Sequence, residues 1–159
     1  MNAVSDCVKV VMSNLNIRPA VGKDAVRIAE VEIFNYRLNF YPVFRNDYFY
    51  FAELNVLTKA ESNMDHIENM WVYDDGVVKG FICIDGREVR KLFVEPVLQS
   101  LGIGSELLKF AIEKFDVNKL WVLEKNIRAI SFYERHGFNL TEEKKYEEGT
   151  TENLILMKR

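Results

Sequence analysis

The chain is poor in cysteine: Cys7 and Cys83 lie far apart, with no CxxC spacing. That excludes a disulfide framework and a cysteine-based zinc site, and it suits a reducing compartment in which such residues pack as small apolar groups. Proline is scarce as well, with Pro19, Pro42 and Pro96 spread over 159 residues, and no Pro/Gly/Ser linker, low-complexity tract or repeat marks a second domain. Neither sign of charge dominates. Lys+Arg total 21 and Asp+Glu 24, for a net charge of -3, so the basic footprint of a nucleic-acid binder is missing. Charged residues interrupt every stretch before it reaches the roughly 18 apolar residues that a spanning helix needs. The short apolar run Val8 to Met12 has no basic leader before it. His66 and His136 have no HExxH or carboxylate spacing, so no metal is expected. One soluble cytoplasmic domain over residues 16–159 is expected, behind a frayed extension or extra edge strand over residues 1–15.

What is present suffices for one sizeable core, since 48% of the residues are hydrophobic and 13% aromatic. Ile17 to Val21 reads as a strand. Asp24 can then cap a helix whose Ala25, Ile28, Ala29, Glu32 and Ile33 share helical spacing. Eight aromatics follow between Tyr36 and Phe51 (Tyr36, Phe40, Tyr41, Phe44, Tyr48, Phe49, Tyr50, Phe51) and read as core, ending in a helix through Leu57. Met70 to Tyr73, Val77 to Ile84 and Glu88 to Val94 are strands joined by two tight turns, Asp74-Asp75-Gly76 and Asp85-Gly86. Leu107, Leu108, Ala111 and Phe115 mark a helix that starts near Gly102 or Gly104. A strand over Leu120 to Leu123, a helix over Ile127 to His136 closed by Gly137, and a hairpin of Phe138 to Tyr146 with Leu154 to Met157 complete an α+β order with one parallel crossover.

Chemistry concentrates after the Glu88 to Val94 strand. A glycine-containing turn there opens a helix, whose unpaired N–H groups and dipole favour an anion, and Gly102 and Gly104 let phosphate oxygens approach the main chain. The spacing is not a P-loop, because no Lys-Ser or Lys-Thr follows a GxxxxG. A dinucleotide fingerprint fits poorly although Glu124 stands where a ribose-binding acid would be sought. Its third glycine would be Leu107, and seven residues separate Val94 from Gly102.

Gln99-Ser100-Leu101-Gly102-Ile103-Gly104 resembles the Q/R-x-x-G-x-G/A pyrophosphate signature of GNAT acetyltransferases, placed after an L-x-V-x-P strand end as that family places it. Asn126-Ile127-Arg128-Ala129-Ile130-Ser131-Phe132-Tyr133-Glu134-Arg135-His136-Gly137-Phe138 resembles the same family's N-x-x-A-x-x-F-Y-E-x-x-G-F segment. The resemblance implies a mixed, mostly antiparallel sheet of about six or seven strands with about four helices and a splay between strands four and five. It also implies acetyl-CoA as cosubstrate, an amine as acceptor and, by family habit, a possible homodimer. Cofactor contacts are implied at Phe93, Val94, Gln99, Leu101, Gly102, Ile103, Gly104, Ser105, Asn126, Ala129, Phe132 and Tyr133. The N–H groups of Gly102 to Ser105 would hold the pyrophosphate, Gln99 would close over it, and the main chain of Phe93 and Val94 would pair with pantetheine.

Tyr133 stands where the family presents a tyrosine to the cofactor sulfur as general acid, although the helical spacing of Ala129, Phe132, Tyr133 and His136 also suits a core residue. A phenol near pKa 10 and a thiol near 8.5 make full proton delivery uphill by roughly 2 kcal/mol, so hydrogen bonding to the leaving thiolate carries more weight than transfer. The amine needs a base, because an ammonium with a pKa near 10 is not nucleophilic. Glu88 stands where some members place a glutamate, eleven residues before Gln99, and equally reads as a solvated residue past its turn. Where other members carry a glutamate in strand five this chain has Trp121. Relay through water is the alternative. A non-catalytic acyl-CoA sensor of the same fold is the rival from another class, and the acceptor itself has no readable motif.

Overall fold

The structure, a computed structural model, describes residues 15–159, so all but the last residue of the expected N-terminal extension lies outside the described residues. Seven strands form one sheet in the order β1-β2-β3-β4-β5-β7-β6. β1 (Ile17–Pro19), β2 (Met70–Asp74), β3 (Val78–Asp85) and β4 (Glu88–Val94) make an antiparallel meander. β5 (Lys119–Leu123) joins β4 in parallel, and β7 (Asn153–Lys158) pairs antiparallel with both β5 and β6 (Asn139–Tyr146). The mixed sheet with its single parallel junction is the architecture expected.

Helices cover both faces. On one lie α1 (Ala25–Asn39), the short α2 (Tyr41–Phe44), a π-helical turn (Phe49–Glu53) and α3 (Val56–Met64); on the other lie α4 (Ile103–Phe115) and α5 (Ile127–Arg135). β3 is buried on both sides, and strand alternation divides its residues. Phe81 and Cys83 pack with Ile28 and Val31 of α1, while Ile82 and Ile84 pack with Leu107, Leu108 and Ala111 of α4. Each large side chain so enclosed contributes about 1.5–3 kcal/mol.

Two irregularities place the site. β4 and β5 pair only at Glu88↔Lys119 and Val89↔Leu120, so the two strands diverge from Arg90 onward and the sheet opens. Arg90 is also the extra residue of a β-bulge, because Cys83 faces Lys91 while Ile84 faces Val89. The bulge breaks the alternation. Val89, Leu92 and Val94 belong to the α4 face, whereas Phe93 packs with the α1 face.

The expected boundaries needed correction mainly between Tyr36 and Met64. α1 runs on to Asn39, and α3, a helix that the apolar spacing did not reveal, begins at Val56 behind Asn55, whose Oδ1 accepts from the Thr58 N–H at 3.0 Å. Asp24 makes no side-chain cap for α1. Its carboxylate instead accepts from the Val21 N–H at 2.9 Å and from the Arg18 guanidinium at 2.8 and 3.0 Å.

Candidate active site

The divergence of β4 from β5 opens a cleft of about 1320 Å³ that is walled by α1, β4, β5, α5 and the β6–β7 loop. Gly102, Ile103, Gly104 and Ser105 line it at the start of α4. Gly102 stands at the N-cap with φ 93°, a conformation that disfavours any side chain, and a Cβ built there would meet nothing within 4 Å. The main chain is therefore open where the first helical N–H groups emerge. Gly104 is closer to its surroundings, since a Cβ would touch the Phe132 ring at 3.5 Å. Arg128 donates to Ser100 Oγ at 3.2 Å and sets a guanidinium at the same mouth. A glycine cradle, a helix start and a nearby cation suit a diphosphate, and the residues present fit that group.

Along β4 the N–H of Glu95 bonds the Lys79 carbonyl, which fixes the phase of the ladder and turns the main chain of Phe93 toward β3. The edge facing the splay is thus that of Leu92 and Val94 rather than Phe93 and Val94. Phe93 enters the cleft through its ring, which packs edge-on against Tyr36 at 5.6 Å. The Val94 carbonyl accepts from Asn35 Nδ2 at 2.8 Å and from Gln99 Nε2 at 3.2 Å, and Gln99 also donates to Asn35 Oδ1 at 2.9 Å. Gln99 thereby ties the glycine turn back to α1 and β4 instead of reaching over the turn.

α5 brings the second motif to the opposite wall. Asn126 caps it, Oδ1 accepting from the Ala129 N–H at 3.1 Å. Ala129, Phe132 and Tyr133 line the cleft, with the Phe132 and Tyr133 rings 5.2 Å apart. Burial pushes the Tyr133 hydroxyl well above the ordinary phenol value, and it has no hydrogen-bond partner among the described residues. Leu101 is the expected contact that stays off the cleft wall, its side chain 70% exposed.

Glu88 lies at the closed end of the splay, with Arg90 donating to it at 3.2 Å and the Lys119 ammonium 3.8 Å away. Glu124, the acid a dinucleotide would have used, is engaged by Lys144 at 2.6 Å and Asn153 at 3.1 Å, and these bonds hold its carboxyl below the ordinary range. Cys83 is packed under α1, off the cleft, with its thiol pushed up by burial.

Several aromatics expected as core serve as both core and wall, since Tyr50 is buried with Ile33 and Leu54, and Tyr36, Phe40, Tyr41 and Phe44 pack against that cluster. Tyr36, Phe40, Phe44, Phe49 and Tyr50 line the cleft, with Tyr146 to Gly149 of the β6–β7 loop across from them. A cluster that sequence reasoning did not assemble also lies here: Glu32, Tyr36, Lys59 and Lys91. Its one sequence signal was a charge, Glu32, on the apolar stripe of α1.

An open glycine turn at a helix start, beside a strand edge freed by the splay, makes a cleft suited to a ligand with an anionic group and an extended arm. The acetyltransferase (GNAT) domain family matches residues 48–153. The peptidyl-lysine N-acetyltransferase YiaC of Escherichia coli is 35% identical over 74 residues, covering 45% of this chain and 51% of that one. The chain spans about half the length of the curated relatives it matches. Among solved structures, apo YjaB from Escherichia coli aligns with TM-score 0.70 at 18% identity over 89% of this chain and 95% of its own. The PaiA N-acetyltransferase of Thermoplasma acidophilum, solved with coenzyme A, aligns with TM-score 0.61 at 21% identity over 90% and 97%. The chain belongs to the GNAT acetyltransferase family.

Proposed function

We propose that this chain moves an acetyl group from acetyl-CoA to a primary amine by direct attack within a ternary complex. The observation that carries the reading is convergence: the open turn at Gly102, Leu92 and Val94 of β4, and Tyr133 all line one cleft. The N–H groups of Gly102 to Ser105 and Arg128 would hold the diphosphate. The free edge of β4 would pair with the amide-bearing arm. Acetyl-CoA supplies the acyl group as a thioester.

Tyr133 keeps its proton throughout the physiological range because burial disfavours the phenolate, so its Oη is a standing donor for a departing thiolate. Tyr36 is likewise held neutral, by burial and then by the Glu32 carboxylate. Direct transfer is supported by Cys83, which is packed away from the cleft with its thiol disfavoured as nucleophile. Glu88 is the basic group nearest the closed end of the splay, and the amine loses its proton there or to water at the open mouth. Because Arg90 and Lys119 already engage Glu88, the second reading, an acyl-CoA sensor without transfer, is kept as the alternative.

The test is release of free thiol from acetyl-CoA across a panel of amines, begun with lysine peptides because of the names of the Escherichia coli relatives. Tyr133→Phe is expected to lower kcat roughly ten- to a hundredfold with KM for acetyl-CoA unchanged. Coenzyme A binding without thiol release from any amine would replace the transferase reading with the sensor.

A further inference from the structure

The cluster at the acceptor end of the cleft has no task in the reaction as proposed above. Glu32 is wholly buried in α1. Three donors converge on its Oε1: the Lys59 ammonium at 3.1 Å, the Lys91 ammonium at 2.6 Å and the Tyr36 hydroxyl at 2.8 Å. Asn63 approaches Oε2 at 3.3 Å. Three segments supply these groups, and the bulge at Arg90 is what turns Lys91 out of the α4 face and onto Glu32.

Resting on the transferase reading, we propose that Lys59 and Lys91 form an anion subsite, so that the preferred acceptor is an amine that also carries a carboxylate. One buried carboxylate is neutralised by one ammonium, and here there are two. Burial alone would protonate Glu32, but the charges of Lys91 and Lys59 more than offset it and keep the carboxylate ionised. Taken alone these side chains carry a net single positive charge, and the Glu147 carboxylate of the β6–β7 loop stands near enough to act on Tyr36. The positive charge is not enclosed: Lys59 and Lys91 are 19% and 26% exposed and line the cleft. Each ammonium has three donors, and the remaining ones have no acceptor among the described residues. Glu147 makes no hydrogen bond to either lysine, so a guest carboxylate supplies the missing acceptors. The neighbouring walls, Phe40, Phe44 and Phe49, are apolar rings, which suit the hydrocarbon body of such a guest. The α-carboxylate of a free amino acid and the acidic side chain beside a peptide lysine share this chemistry.

The subsite is tested first by binding alone, through calorimetric titration of the coenzyme A-saturated protein with 3-phenylpropanoate and with its uncharged amide. Wild type is expected to bind the acid roughly tenfold or more tightly than the amide. Lys91→Met should abolish the preference while Lys91→Arg keeps it; Glu32 retains Lys59 in both. Lys59→Met provides an independent second variant. Equal binding of acid and amide by wild type overturns the subsite.

Turnover then separates the two readings. L-Phenylalanine is compared with phenethylamine, and a lysine peptide flanked by glutamate with one flanked by glutamine. Preference in the first pair assigns an α-carboxylate, and in the second a side-chain carboxylate. In Lys91→Met the KM of the preferred acid rises about tenfold while kcat is held. Turnover without preference in either pair sinks the subsite and leaves acetyl transfer standing. Acid-selective binding with no acetylation of any amine retains the subsite and removes the transferase.

Discussion

Gly102 is where a single residue is asked for most. At φ 93° an L side chain is strained by the backbone itself, whatever the space around it, and here the space is empty. Gly102→Ala is therefore expected to cost about 1–2 kcal/mol of stability and to raise KM for acetyl-CoA. Gly104→Ala makes a useful contrast, because Gly104 sits within α4 and its new Cβ would meet Phe132 at an ordinary 3.5 Å. It should hold or gain stability, since alanine favours the helix, while still weakening the cofactor. Melting temperature and KM read together distinguish the pair, and equal melting of the two variants would contradict the strain argument. Acid sensitivity belongs to the same scale. The Arg18 hydrogen bonds hold Asp24 below its ordinary carboxyl value, and the lysine pair holds Glu32 below its own despite burial. Both pKa values fall on folding, so their contribution is complete above the unfolded values near 4 and drains away as pH drops through the lower folded ones. Urea midpoints should accordingly decline between about pH 5 and 3, and Asp24→Asn should flatten part of that decline. The glycine turn was legible in sequence because its neighbours in the chain set its surroundings, whereas Tyr133, which lines the cleft, was singled out only through the family resemblance. Lys59, Lys91 and Asn35 were not legible, because their partners come from distant segments and a fold must exist before they meet.

Elements repeat the lesson in a different form. The two Asp-Gly hairpins, the α4 stripe and the Gly137 terminus were readable, since turn chemistry and period act over a few residues; Gly76, Gly86 and Gly137 all take positive φ as those turns require. α3 was not. Its nine residues include buried Asn63 and half-buried Lys59, polar groups held inside by Glu32, so no apolar stripe announces it, and the Asn55 cap was the signal passed over. The Arg90 bulge was equally hidden, because an extra residue shows only when two strands are laid side by side. Asn126 lets element stability be separated from chemistry. Its side chain bonds the Ala129 N–H, so Asn126→Ala should cost about 1 kcal/mol and lower the melting temperature by a few degrees. Asn126→Asp and Asn126→Ser keep the cap. If either restores melting while KM for acetyl-CoA stays high, Asn126 also touches the cofactor; if KM recovers with stability, capping is its whole role.

At the scale of the molecule, the cleft exists because the sheet is made of two parts that share only the first residues of β4 and β5. The meander with α1 forms one wall, the β5–β7–β6 unit with α5 forms the other, and α4 crosses beneath, its first turn at the opening. A ligand that touches the α4 turn, the β4 edge and α5 together bridges both walls, so it should stabilise the whole fold and not one element. Binding to the native state alone adds RT ln(1 + [L]/Kd), about 2.7 kcal/mol at a hundredfold excess over Kd. For a domain of this size that corresponds to a rise of several degrees in the melting temperature. Coenzyme A is expected to produce such a rise and NAD none, because the acid that a dinucleotide ribose would need, Glu124, is already bonded to Lys144 and Asn153. The rise should shrink in Gly102→Ala and persist in Tyr133→Phe, since on the proposed reading the first disturbs the grip on the diphosphate and the second only the group assigned to the sulfur. Differential scanning fluorimetry across the three proteins and two ligands decides it: protection by NAD in place of coenzyme A would reassign the glycine turn to a dinucleotide.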